Sequence, residues 1–198
     1  MCLNNWGGIS HKILEFNEYV NLFSGKSGSG KSTVMDAIQV LLYGSFSPSF
    51  LNKAADDAKN RRSVLSYLRG EQKDGTANRE NADFCSNIVL EIEDTGTHNY
   101  TCVGVAFEVK HNDSEIRKYV FFSHSGQIPE SEYINSKGYV YTNQEIKKLL
   151  EVRAQSDSNK GREVNRTYTS REAYMAALYD VILGYIDGTR FQIMEKSA

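Results

Sequence analysis

The sequence predicts an α/β domain in which helices flank an antiparallel sheet. Three apolar runs with alternating polarity lie close together within residues 86–123, and only short turns separate them. Such spacing is typical of an antiparallel meander, because parallel strands need longer crossovers. Apolar residues recur at helical spacing after Lys31, Thr142 and Thr169. A glycine-rich segment directly before the first of these helices indicates what the domain binds.

The glycine-rich segment, residues 25–32, reads GKSGSGKS and fits the pattern G-x-x-x-x-G-K-[ST]. We predict a strand over residues 19–23 before it and a helix from Lys31 after it. Glycines let the backbone fold tightly around phosphate oxygens, and backbone N–H groups with a helix N-terminus direct partial positive charge at an anion. The predicted nucleotide-binding residues are Gly25, Lys26, Ser27, Gly28, Ser29, Gly30, Lys31, Ser32 and Thr33.

Two side chains of this segment have specific predicted roles. The Lys31 ammonium is expected to reach the β- and γ-phosphates, and the Ser32 hydroxyl is expected to bind Mg²⁺. A chance turn rich in glycine and serine is a weaker explanation, because the pattern lies between a predicted strand and a predicted helix. The expected ligand is therefore a nucleoside triphosphate with Mg²⁺.

Composition narrows the class of protein. The chain has 198 residues, of which 40% are hydrophobic and 24% charged, as in an ordinary globular domain. Its net charge of −2 means that any contact with DNA needs a local basic patch. Three widely spaced cysteines argue against a disulfide framework or a zinc site. Without a signal peptide or a long apolar run, we expect an intracellular, soluble protein with no membrane partner.

The chain divides into four segments. Residues 1–44 contain a strand pair, the glycine-rich loop and a helix that ends at Gly44; residues 45–85 are polar and partly basic. Residues 86–123 form antiparallel strands, and one face of the first strand is expected to be exposed to water. Residues 140–184 contain two helices that begin with the capping boxes TNQE, residues 142–145, and TSRE, residues 169–172. The four histidines are expected to lie on the surface.

The basic part of residues 45–85 is a candidate contact for a phosphate backbone. Arg61, Arg62 and Arg69 are the DNA-binding candidates, and the aromatic residues Phe46, Phe50 and Tyr67 lie among them. A solvated loop with a short helix explains this composition equally well.

The sequence contains only part of a hydrolytic site. Residues 88–94 are apolar and end in acids, but Glu91 interrupts them, so they do not fit a central strand that carries a metal-binding acid. No residue of this chain is therefore a candidate for catalysis, and the sequence describes half of a nucleotide site.

Three stretches resemble a known family: L-x-N-W at residues 3–6, GKSGSGKSTVMDAIQVLLYG at residues 25–44, and FLNKAADDAKNRRSVLSYLRGE at residues 50–71. Together they resemble the N-terminal lobe of SMC-like, SbcC-like and MukB-like ATPase heads of the P-loop class. They look most like the JetC family of Wadjet anti-plasmid systems. In such heads this lobe is part of a longer coiled-coil protein, and the remaining catalytic residues belong to a C-terminal lobe.

The resemblance implies ATP and Mg²⁺ as cofactors and a dimer of heads that acts on DNA. It also implies a kleisin, a small winged-helix subunit and a toprim nuclease as partners. Gln192 is the candidate for the family's Mg²⁺-contacting glutamine, with Gln127 as its competitor, and Arg69 is the candidate for its arginine loop. ATP hydrolysis would then need the C-terminal lobe, so this chain by itself is expected to be inactive.

Two other functions stay open from the residues. A stand-alone kinase or NTPase could use an acid such as Glu91 or Asp94. A nucleotide-sensing module could bind ATP without hydrolysing it.

Overall fold

The computed structural model describes residues 1–47, 51, 63–72, 75–156 and 161–182. At its centre is an antiparallel sheet of six strands in the order β2-β1-β3-β4-β5-β6. The strands are β1 (Cys2–Trp6), β2 (Ile9–Ile13), β3 (Phe84–Asp94), β4 (Asn99–Val109), β5 (Lys118–Ser125) and β6 (Arg166–Tyr168).

Helices cover both faces of this sheet, so the predicted α/β class is confirmed. They are α1 (Lys31–Tyr43), α2 (Val64–Arg69), α3 (Asn143–Ser156), α4 (Gly161–Val164) and α5 (Arg171–Ala176), which continues as a π-helix over Ala177–Ile182. The helix α1 begins at Lys31 and ends at Gly44, as predicted. Gly44 has φ 56°, the left-handed conformation in which glycine commonly ends a helix.

The predicted meander is confirmed by β3, β4 and β5. These strands pair in chain order and antiparallel, with Ile88 opposite Val105 and Val105 opposite Phe121. Directly paired residues point to the same face of a sheet, so these three side chains lie together on one face, where all are buried. This face packs against α1, α2 and α5 and forms the larger core. The helical residues of this core include Val34, Ala37, Val40, Leu41, Val64, Leu68, Tyr174 and Met175.

The opposite face is also covered, which corrects the expectation that one side of β3 faces water. A second core contains Val89 of β3 and Phe122 of β5. It is closed by Tyr133 and by two residues of α3, Ile146 and Leu150. Only the end of β3 beyond Ile92 is exposed. The alternation of Val89 with acidic residues concealed this second layer.

The predicted strand over residues 19–23 is wrong. Residues 14–25 have no regular secondary structure, and Tyr19, Val20 and Leu22 are 87%, 75% and 90% exposed. The Asn21 side chain closes a loop here, because its Oδ1 accepts from Asn17 N at 2.6 Å and its Nδ2 donates to Asn17 O at 2.8 Å. The first hairpin does exist, but its second strand is β2.

Three smaller expectations also change. The capping box TNQE at residues 142–145 is confirmed. In TSRE, at residues 169–172, the N-cap is Ser170 instead of Thr169, because the Ser170 hydroxyl accepts from Ala173 N at 3.2 Å. The polar stretch after α3 contains β6, a strand of three residues that the sequence analysis missed. His124 is buried, in contrast to the other three histidines.

No helix within the described residues is long and apolar enough to cross a membrane.

Candidate functional site

The N-terminus of α1 is uncapped by any side chain that the structure describes. Its N-cap is Gly30, at φ 88° and ψ 7°, and its first turn contains no acidic residue. The first N–H groups of a helix have no acceptor within the helix, so they are left for a cap, water or a ligand. In contrast, Ser63 caps α2 and Ser170 caps α5. The start of α1 is therefore suited to an anion.

The loop before α1 has the backbone that its glycines were expected to give. Gly28 and Gly30 have φ values of 82° and 88°, which residues with a Cβ rarely adopt. Gly25 is needed for space, because a Cβ there would lie 2.7 Å from Ser29 Oγ. A hydrogen bond from Ser29 N to Lys26 O, at 3.2 Å, closes the turn. The loop is consequently compact and exposes its backbone to solvent.

Lys31 directs its ammonium back into this loop. Its Nζ donates to Gly25 O at 2.7 Å and to Lys26 O at 3.0 Å, and it lies 3.4 Å from Ser29 Oγ. A cation at a helix N-terminus opposes the helix dipole, so these carbonyl contacts offset an unfavourable position. No carboxylate that the structure describes pairs with it. The ammonium is thus available to an anionic ligand at the mouth of the loop.

The next two residues differ in what they contact. Ser32 is exposed beside Lys31, so its hydroxyl is free to bind a hydrated cation held by a phosphate. Thr33 instead faces the β1–β2 turn, because its carbonyl accepts from Trp6 Nε1 at 2.9 Å and a Cβ on Gly7 would lie 2.7 Å from its Cγ2. Thr33 therefore fixes the first turn of α1 against the sheet.

A cleft of about 520 Å³ lies between this loop and β2. It is lined by residues 8–12 on one side and by Ser29, Gly30 and Lys31 on the other. Lys12 is paired with Leu3, which places it on the same face of the sheet as α1. The sequence analysis did not predict β2 or this wall, because ISHKI has apolar residues only at its two ends and therefore lacks an alternating pattern.

Some predicted site residues lie elsewhere. Arg61, Arg62 and Gln192 are outside the described residues. Arg69 donates to the carbonyls of His111 at 3.1 Å and Asp113 at 2.6 Å, so it anchors the β4–β5 turn.

Gln127 and two of the aromatic candidates, Tyr67 and Phe46, also have structural contacts, whereas Phe50 is outside the described residues. Gln127 is exposed in the loop after β5, where its carbonyl accepts from Arg153 at 3.2 Å. The expected interleaving of aromatic residues with basic ones is not seen for Tyr67 and Phe46. Tyr67 is buried against Trp6 and donates to Asp36, and Phe46 stacks on Phe121.

The acids considered for hydrolysis are engaged with backbone groups. Glu91 accepts from Ile128 N at 2.6 Å, and Asp94 Oδ1 accepts from Gly96 N at 2.9 Å and Thr97 N at 3.1 Å. The strand β3 lies between β1 and β4 in an antiparallel sheet, which agrees with the rejection of residues 88–94 as a metal-binding strand. The described residues contain no cluster of three or more His, Cys, Asp or Glu side chains that could hold a metal.

Comparison with known proteins agrees with this arrangement. A family model described as an AAA domain matches residues 1–192, nearly the whole chain. No curated protein matches the sequence significantly. The family match indicates a nucleotide-binding ATPase domain and is consistent with the N-terminal region of an SMC-like or SbcC-like ATPase. With its glycine loop, its uncapped helix and this match, the chain belongs to the AAA domain family.

Proposed function

We propose that the chain binds ATP with Mg²⁺ through residues 25–32 and is the N-terminal lobe of an SMC-like ATPase head. The observation that carries this proposal is the start of α1, which no side chain of the described residues caps and which follows a glycine loop that contains the Lys31 ammonium. Such a site has positive partial charges and one full positive charge, with no acid of its own to neutralise them.

The residues present fit a triphosphate and its metal ion. Backbone N–H groups of the loop and of the first turn of α1 would hold phosphate oxygens, and Lys31 would contact the outer phosphates. Ser32 would bind Mg²⁺, which neutralises phosphate charge when it is bound. The cleft beside β2, with Lys12 on its wall, would receive the nucleoside.

Two further features support the proposal that this lobe requires a second lobe for hydrolysis. The acids Glu91 and Asp94 are bonded to backbone N–H groups, so neither is available to position water. Tyr19, Val20 and Leu22 are exposed beside the loop, and an exposed apolar segment of this kind is typical of a surface that contacts further protein.

The finer assignment follows from the resemblance alone. We propose a head of the JetC family that acts in plasmid defence, with chromosome maintenance as the related role. Its heads would dimerise around ATP and act on DNA with a kleisin, a winged-helix subunit and a toprim nuclease. Gln192 keeps its proposed role at Mg²⁺. Arg61, Arg62 and Arg69 keep their proposed role at DNA, which rests on the basic composition of residues 45–85, and Arg69 would have to leave the carbonyls of His111 and Asp113 to contact DNA.

The experiment is titration of the chain with a fluorescent ATP analogue. Substitution Lys31→Ala removes charge-assisted contacts worth about 1.5–3 kcal/mol, so affinity should fall about 10–100-fold. Lys137→Ala, an exposed lysine in the loop before α3, is the matched control and should bind normally. Ser32→Ala should reduce the gain in affinity that Mg²⁺ provides.

Two outcomes would contradict the proposal. Unchanged affinity in Lys31→Ala would exclude the loop as the phosphate site. Steady ATP turnover by the isolated chain, abolished in Lys31→Ala, would favour a complete NTPase over a lobe.

A further inference from the structure

We propose that Trp6 is a positioning residue for the nucleotide. Its indole holds the first turn of α1 against the turn between β1 and β2, and this contact sets the affinity of the cleft for ATP. The inference rests on the proposed function, because it concerns the same cleft. It gives a role to the L-x-N-W sequence at residues 3–6, which lies outside the glycine loop.

The backbone of Asn5 turns Trp6 toward α1. Successive side chains of a strand point to opposite faces, so regular alternation would place Trp6 beside Cys2 in the second core. Trp6 lies instead with Leu3 in the larger core, on the face that packs against α1. Asn5 is the cause, because its φ of 54° is left-handed and breaks the alternation of β1. Its Nδ2 donates to Cys85 O at 2.8 Å, which stabilises this conformation.

The indole of Trp6 connects α1 with α2. It is fully buried and stacks on Tyr67 of α2, with ring centroids 5.1 Å apart and an angle of 14° between the rings. Its Nε1 donates to Thr33 O, in the first turn of α1, at 2.9 Å. The Tyr67 hydroxyl donates to Asp36, about one turn further along α1. The first two turns of α1 are therefore bonded to this aromatic pair.

The turn that follows Trp6 is in direct contact with α1. Gly7 N donates to Tyr67 O at 3.0 Å, and Gly7 O accepts from Arg79. A Cβ on Gly7 would lie 2.7 Å from Thr33 Cγ2, so the turn and the helix leave no space between them. The hydrogen bond from Trp6 to Thr33 thus closes a tightly packed junction.

Both walls of the nucleotide cleft begin at this junction. One wall, residues 8–12, follows Gly7 directly, and the other contains residues 29–31, just before Thr33. The bond from Trp6 to Thr33 therefore fixes the separation of the walls at their base. Without it, a smaller fraction of molecules has the walls at the separation that fits the nucleotide. Apparent affinity falls in proportion to that fraction.

The test is titration of the full chain with the fluorescent ATP analogue. Trp6→Phe keeps an aromatic ring against Tyr67 but removes the N–H, so the loss of one hydrogen bond should reduce affinity about threefold to tenfold. The matched control is Tyr174→Phe. The buried Tyr174 hydroxyl donates to Leu41 O at 2.9 Å, near the other end of α1. This variant loses an equivalent hydrogen bond and should bind ATP like the wild type.

The single tryptophan of the chain allows two further measurements, which do not depend on the folding of Trp6→Phe. Biosynthetic replacement of Trp6 by benzothienyl-alanine keeps the shape of the ring and puts sulfur in place of the N–H, so affinity should fall by a similar factor. In the wild type, the one indole N–H signal of a nitrogen–proton correlation spectrum should shift as ATP binds. A tryptophan with only a structural role would keep its signal unchanged.

Three results would overturn the inference. If the wild type binds ATP and both Trp6 replacements keep its affinity, this inference fails alone and the proposed function stands. An equal loss of affinity in Tyr174→Phe would show that binding follows overall stability instead of the position of the first turn. If the wild type does not bind ATP, the proposed function fails, and this inference fails with it.

Discussion

The helices α1 and α3 pack on opposite faces of one sheet, and their N-termini differ in how the free N–H groups are satisfied. At α3, Thr142 and Glu145 form a reciprocal capping box: Glu145 N donates to Thr142 Oγ1 at 3.2 Å and Thr142 N to Glu145 Oε2 at 2.8 Å. At α1, Gly30 provides no side chain and Lys31 adds a positive charge.

This difference separates a structural helix start from one reserved for a ligand. A side-chain cap contributes about 1 kcal/mol relative to alanine, whereas glycine at that position costs only a few tenths of a kcal/mol, so Gly30 leaves the first N–H groups of α1 without a side-chain acceptor at little cost. The omission is understandable if an anion occupies that position in the functional state. The two helices are otherwise alike, since each is fixed by a hydrophobic core along one side.

The largest expected effect is stabilisation by ATP at α1 only. With Mg²⁺ and ATP at about 100 times its Kd, the free energy of unfolding should rise by about 2.7 kcal/mol. Lys31→Ala should lose this gain. Thr142→Ala should lower stability by about 1 kcal/mol and keep the gain. Urea unfolding with and without ATP measures both, and an equal gain in all three proteins would remove the contrast between the helices.

The second effect is acid sensitivity on the α3 side, where the buried histidine lies. Burial lowers the pKa of His124 from 6.5 to about 4. Its Nδ1 donates to Ser125 O at 2.9 Å, so its Nε2 accepts from the Tyr133 hydroxyl at 2.8 Å. The unfolded chain is protonated first as pH falls below 6.5, so the fold should lose about 2 kcal/mol by pH 5.

Substitution His124→Gln isolates this loss from the titration of carboxylates. The difference in unfolding free energy between wild type and variant should shrink by about 2 kcal/mol between pH 7 and pH 5. Hydrogen exchange should locate the weakening in α3 rather than in α1. Parallel pH profiles for the two proteins would show that His124 does not titrate on unfolding.

Local patterns account for the elements that the sequence predicted correctly. The meander β3–β5 follows from alternation and short turns, and α1 is bounded by the glycine loop and by Gly44. The glycines and Lys31 of the candidate site were predictable for the same reason, because they lie within one short segment of the chain and form a recognisable pattern. The capping box TNQE was predictable as well, because its members lie within residues 142–145.

Features that depend on a distant partner were not predictable. Residues 19–23 have strand-like composition, but Asn21 closes a loop there and no described strand pairs with them. The strand β6 has three residues and forms by pairing with β5. The anchoring of Thr33 by Trp6, and the burial of Tyr67 against Asp36, join residues about 30 positions apart along the chain.

The smallest expected effect is the acid lability of the α3 cap itself. Glu145 accepts from Thr142 N, from Thr142 Oγ1 and from Asn135 Nδ2, and these hydrogen bonds lower its pKa below the usual value. A carboxylate with a lowered pKa stabilises the fold above its unfolded pKa, near 4.5, and this contribution disappears as pH falls through the folded value.

Glu145→Gln should therefore cost about 0.5 kcal/mol at pH 7 and little at strongly acidic pH, where wild type and variant converge. Urea midpoints across this pH range test the convergence, with Glu151→Gln, an exposed position further along α3, as the control. Because the first turn of α1 has no acid, the Lys31→Ala variant should show no comparable convergence. A constant difference between Glu145→Gln and wild type would mean that the cap acts through shape rather than charge.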